Sequence, residues 1–131
     1  MKNAVVIVLA TFLGAGTAWA HAGHDEAPGA IKSNHGGVVK AGKEMNLEYV
    51  VSGSEIQLYP VGHDGRDLTA AAVKLTATAK APKGKEEPLK LNVKDGAYAG
   101  TVDFKGAYRT EVKVSADVGG KKDSFQFQVE K

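Results

Sequence analysis

The chain reads as an all-β protein: an immunoglobulin-like antiparallel sandwich of seven or eight strands, following a cleaved leader and a flexible histidine-bearing segment. Three observations predict this. From Val38 to Val129 apolar and polar side chains alternate with a period of two, the pattern of half-buried strands. Turn signals, Ser52-Gly53, Asp95-Gly96 and Gly119-Gly120, interrupt that alternation at short intervals. No stretch carries its apolar residues at helical spacing.

Residues 1–20 have the three parts of a secretory signal. Lys2 supplies the positive start, residues 4–13 are apolar apart from Thr11, and Ala18-Trp19-Ala20 fits the small-x-small cleavage rule. The apolar run, loosened by Gly14 and Gly16, is short of the roughly 20 residues that a membrane-spanning helix needs. The expectation is a signal peptide removed after Ala20, export to the periplasm, and no stable membrane insertion after cleavage.

Residues 21–34 form the expected flexible segment, and residues 35–131 the folded domain. The segment opens His21-Ala-Gly-His24-Asp25-Glu26, and Pro28-Gly29-Ala30 has linker composition. Cleavage would leave His21 with a free α-amine beside its imidazole, two donors placed to chelate one ion. His24, His35 or His63 would complete the site. Imidazole and carboxylate donors suit a divalent transition metal ion such as copper, zinc or nickel. The competing reading is a polar tail whose histidines are solvated.

The body follows in order. His35-Gly36-Gly37 precedes a short strand at Val38-Val39, so His35 is either a ligand at the sandwich edge or a solvated turn residue. Met45, Leu47, Tyr49 and Val51 share a face, then Ile56 and Leu58, then Val73, Leu75, Ala77 and Ala79. Ala70-Ala71-Ala72 fits one helical turn or the start of a strand. Residues 80–88 read as a charged loop. Leu89, Leu91 and Val93 alternate with Lys90, Asn92 and Lys94 up to the Asp95-Gly96 hairpin signal. Tyr98, Val102 and Phe104 make the next face. Tyr108, Thr110, Val112, Val114 and Ala116 make another, and Phe125, Phe127 and Val129 the last.

The loop between the strands at 55–59 and 73–79 holds His63-Asp64. His63 is the one histidine well inside the folded body, which makes it a scaffold-borne metal-ligand candidate. Asp64 is either a second donor or the aspartate of an Asp-Gly turn. The chain has no cysteine, which excludes disulfides, thiolate nucleophiles and Cys-based metal sites. It carries no nucleophile elbow, phosphate-cradling loop or H-E-x-x-H motif, and an enzyme is not expected. The formal charge of +2 is spread along the body, without the concentrated basic face a nucleic acid would require.

Several features together resemble a small periplasmic domain found alone or in adaptor subunits of heavy-metal efflux systems. They are H-G-G-x-V at 35–39, Glu48, E-I-x-L-Y at 55–59, D-G-R-D at 64–67, A-A-V-K-L at 71–75 and F-x-F-x-V at 125–129. The resemblance implies a periplasmic sandwich associated with metal resistance or transport, an efflux component as partner, and His35 as the matched ligand position. The long hairpin and lipoyl-like segments of a complete adaptor are missing from this sequence. The combination of a mature N-terminal histidine with a small sandwich also resembles copper carriers of the CopC kind, which implies His21, His63 and Asp64 as ligands. Two functions compete. One is a periplasmic metal-binding protein, acting as carrier, buffer or efflux-associated factor. The other is a non-catalytic periplasmic interaction module that binds a partner protein through a sheet edge without metal.

Overall fold

The computed structural model describes residues 31–131. Those residues form nine strands and no helix: β1 (Val38–Ala41), β2 (Asn46–Ser52), β3 (Glu55–Val61), β4 (Val73–Lys80), β5 (Glu87–Leu89), β6 (Asn92–Lys94), β7 (Ala97–Thr101), β8 (Arg109–Val118) and β9 (Lys121–Glu130). They make two sheets, ordered β1-β2-β3-β7-β6 and β5-β4-β8-β9. Every neighbouring pair is antiparallel. The architecture is the antiparallel β-sandwich that the period-two alternation predicts.

The core is built from the inward positions of both sheets. Met45, Leu47, Ile56 and Leu58 come from the first sheet and its approach, and Val73, Leu75, Val112, Val114, Phe125, Phe127 and Val129 from the second. Each fully buried side chain of this size contributes about 1.5–3 kcal/mol of transfer free energy. The Tyr49 ring spans the gap between sheets and stacks on Phe127, with centroids 3.9 Å apart and planes 6° from parallel. Its burial pushes the phenol pKa up from 10.0.

The turns follow their chemistry. Asp95 (φ 52°) and Gly96 (φ 78°) are both left-handed, as a two-residue type I′ hairpin requires, and they join β6 to β7. Gly119 and Gly120 do the same between β8 and β9. Ala70-Ala71-Ala72 is a turn, closed by a hydrogen bond from the Ala72 N–H to the Thr69 carbonyl at 3.0 Å. The Tyr98 hydroxyl sits 2.7 Å from the Val73 carbonyl and 3.0 Å from that of Ala70, and so ties β7 of one sheet to the start of β4 in the other.

Nine strands stand where seven or eight were expected. The segment read as one strand at 89–93 is two. β5 pairs with β4 in one sheet, and β6 pairs with β7 in the other. The chain crosses between sheets at Lys90-Leu91, and unbroken alternation conceals the crossing. β7 ends at Thr101, so Val102 and Phe104 enter the core from a loop rather than from a strand. Tyr108 precedes β8 and is 66% exposed, unlike the residues expected to share its face.

Two buried carboxylates organise the ends of the sandwich. Asp123 of β9 accepts the N–H groups of Lys43 (3.1 Å), Glu44 (2.7 Å) and Met45 (3.0 Å), which holds the β1–β2 connection against the opposite sheet. Gly42 allows that close approach, because a Cβ there would lie 2.3 Å from the Met45 carbonyl oxygen. The second carboxylate is Glu48, and it positions the candidate site.

Candidate metal centre

Leu47 and Tyr49 point into the core, so Glu48 between them points to the outer face of the five-stranded sheet. It is nevertheless 0% exposed. A carboxylate is buried at tolerable cost only when donors surround it. Here they are main-chain N–H groups of the segment leading into β1. Glu48 Oε1 accepts from His35 (2.8 Å) and Gly37 (3.0 Å), and Oε2 accepts from Asn34 (2.9 Å). Two glycines let the segment wrap the carboxylate. Gly36 has φ +75°, and a Cβ on Gly37 would come within 2.3 Å of the Tyr49 carbonyl oxygen.

This wrapping lays His35 across the outer face. Its ring stacks on Tyr59, the register partner of Glu48 on β3, with centroids 3.7 Å apart and planes 11° from parallel. Its Nε2 lies 2.7 Å from Asp67 Oδ2. Asn34 Nδ2 donates to the other Asp67 oxygen at 3.0 Å and to the Gly65 carbonyl at 2.9 Å. Asp67 is delivered by the loop after β3, which folds back so that Val61 and Asp67 form a single antiparallel bridge. Hydrogen bonds from the Gly62 N–H to the Arg66 carbonyl and from the Leu68 N–H to the Pro60 carbonyl fix the loop.

Partial burial acts to raise the Asp67 pKa. The hydrogen bonds from Asn34 and His35, with the charge of His35, outweigh it and bring the value below the ordinary 3.8. Asp67 is therefore an anion at neutral pH. When the imidazole is neutral, an anionic acceptor at Nε2 selects the tautomer with its proton on Nε2 and leaves a lone pair on Nδ1. This carboxylate–imidazole arrangement is the one that orients histidine ligands of metals. The His35 and Asp67 side chains are 30% and 45% exposed, so the site is open to solvent.

The other candidates are placed differently. His63 Nε2 lies 3.2 Å from the Lys43 carbonyl oxygen on an exposed loop. Asp64 Oδ1 accepts the Arg66 N–H at 3.0 Å, the turn contact of an Asp-Gly sequence. Among the described residues no group of three or more His, Asp or Glu side chains is arranged to hold a metal ion. His21 and His24 lie outside the described residues.

Asp67 and Tyr59 are the site residues that sequence reading passes over, since one resembles turn chemistry and the other an outward strand residue. The burial of Glu48 carries no signal in the sequence: alternation with Leu47 and Tyr49 puts it on the outer face, and the segment at 34–37 that covers it comes from outside the strand.

No protein-family model and no curated protein matches the chain. Among solved structures it is similar to the crystal structure of a DUF4426 family protein from Pseudomonas aeruginosa PAO1. The TM-score is 0.51 at 19% identity, over 71% of this chain and 94% of that one. The likeness shows the fold, a small β-sandwich domain, and carries no link to heavy-metal efflux adaptors.

Proposed function

We propose that the protein is a periplasmic metal-binding protein, a carrier, buffer or efflux-associated factor for a divalent transition metal ion such as copper, zinc or nickel. One observation supports this reading above the others: His35, clamped by Glu48 through its main chain, stacked on Tyr59 and hydrogen-bonded to Asp67, is an imidazole already held in one orientation and one tautomer. Fixing a ligand in advance lowers the entropy lost on binding. A single imidazole does not make a tight site, and the remaining donors are His21 and His24. His24 stands eleven positions before His35 in the sequence.

The test is metal titration of protein exported and processed to a free His21 terminus, beside a sample with one extra residue before His21. His35→Ala should weaken binding by at least about tenfold, and Asp67→Asn by about 10- to 100-fold, because the tautomer is no longer selected. Binding should weaken in acid, because an imidazole must be deprotonated to coordinate a metal. His63→Ala should change little. Unchanged affinity after replacement of all four histidines would overturn the proposal. Loss of binding in the extended sample alone would place the His21 amine in the site.

A further inference from the structure

A strand at the edge of a sheet presents main-chain donors and acceptors with no partner, and proteins blunt such edges by shortness, proline, bulges or charge. Three of the four edges among the described residues are blunted. β1 has 4 residues, and β5 and β6 have 3 each, with Pro88 in β5. β9 is different. It has 10 residues, no proline, and an uninterrupted register with β8, so no bulge. Its middle, from Ser124 to Val129, has no charged residue.

The direction of its main-chain groups follows from one hydrogen bond. The Lys131 N–H donates to the Tyr108 carbonyl at 2.8 Å, which continues the β8–β9 ladder by one pair. Hydrogen-bonding direction alternates along a strand. The odd-numbered residues of β9 therefore face β8, and Lys122, Ser124, Gln126, Gln128 and Glu130 direct their N–H and C=O groups away from the sheet. All five have exposed side chains, on the outer face of the sandwich.

We propose that β9 pairs with β9 of a second copy of this chain, antiparallel about a two-fold axis, to join the two four-stranded sheets into one of eight strands. Outward-facing residues must pair with outward-facing residues, which restricts the register. The one that uses the whole edge places Lys122 opposite Glu130 of the other copy, Ser124 opposite Gln128, and Gln126 opposite itself. It forms about ten main-chain hydrogen bonds. It also sets Lys122, which reaches Asp117 of its own β8 at 2.9 Å, against Glu130 of the other copy, twice by symmetry. Cross-strand pairs of opposite charge stabilise a sheet, and a two-fold contact makes one such match count at both ends. This self-complementary distribution of charge selects a second copy over a different partner.

The experiment is sedimentation equilibrium of the full processed chain with a chelator present, so that metal bridging does not contribute. The expected result is a monomer–dimer equilibrium with twice the monomer mass at high concentration. Gln126→Lys, which sets two ammonium groups face to face at the axis, should raise the dissociation constant at least about tenfold. Glu130→Lys should weaken the dimer. Circular dichroism of each variant verifies that it is folded. A parent chain that stays monomeric to about 1 mM would overturn the proposal. A dimer indifferent to Gln126→Lys or to Glu130→Lys would overturn it equally.

Discussion

Glu48→Gln probes the contact on which the candidate site depends. Glutamine keeps the shape of glutamate but replaces one acceptor oxygen with an NH2 group. In the better orientation the remaining oxygen keeps the N–H groups of His35 and Gly37, and the NH2 opposes the Asn34 N–H, donor against donor. A hydrogen bond to a charged acceptor contributes about 1.5–3 kcal/mol, and a buried donor without a partner costs about 1–3 kcal/mol. Losing one bond and the charge assistance of two others comes to about 2–4 kcal/mol. That loss falls on the segment at 34–37, while the core beneath Glu48 is untouched. The assay is amide hydrogen exchange. Protection of the Asn34, His35 and Gly37 amides should fall on the order of 30- to 1,000-fold. The amides of Val112 and Val114, in a central strand of the other sheet, should retain more of their protection. Parent-like exchange at all three amides, with urea stability unchanged within about 0.5 kcal/mol, would refute the reasoning. The three donors would then have found other acceptors.

Other outcomes follow from local features. A hydrogen bond from Lys122 and another from the Gly120 N–H hold the Asp117 carboxyl below its ordinary 3.8. Because the folded value is the lower one, this contact stabilises the fold fully above 3.8 and is lost as pH falls through the lowered value. Carboxyl NMR titration should place the Asp117 midpoint below 3.8, and Lys122→Ala should move it upward; a parent midpoint at or above 3.8 would contradict the contact. Gly96→Ala and Gly37→Ala should both destabilise, for different reasons. A Cβ on Gly96 meets open space but sits at φ +78°, a cost of about 1–2 kcal/mol. A Cβ on Gly37 meets the Tyr49 carbonyl oxygen at 2.3 Å, so the segment must move and the loss should exceed that of Gly96→Ala in urea denaturation. Equal losses would show that the segment yields freely.

Much of the fold was legible because the long strands β4, β8 and β9 bury one face in alternation. Thr110, Val112, Val114 and Ala116 are buried in alternation, as their spacing requires. Asp95-Gly96 and Gly119-Gly120 announce hairpins because few residues accept two successive left-handed conformations. The crossing at Lys90-Leu91 was not legible. Alternation records which side chains are buried, not which strand they pair with, and Leu89 and Leu91 remain against the core on both sides of it. His35 was visible as a candidate, but its ambiguity between ligand and turn residue could not be reduced without Asp67, 32 positions away. His63 was visible as a candidate from its place in the body, but the neighbour of its ring, the Lys43 carbonyl 20 positions away, was not.

The Asp123 clamp has a consequence for the order of events during synthesis. Its donors, beginning at Lys43, precede it by up to 80 residues. A ribosome adding about 5–20 residues per second needs on the order of 4–16 s to cover that distance. For that interval the β1–β2 connection exists without the side chain that holds it, and Phe125 and Phe127 do not yet exist to cover Tyr49 and the inner face of the first sheet. The nascent chain thus spends seconds with apolar surface open before the last strand arrives.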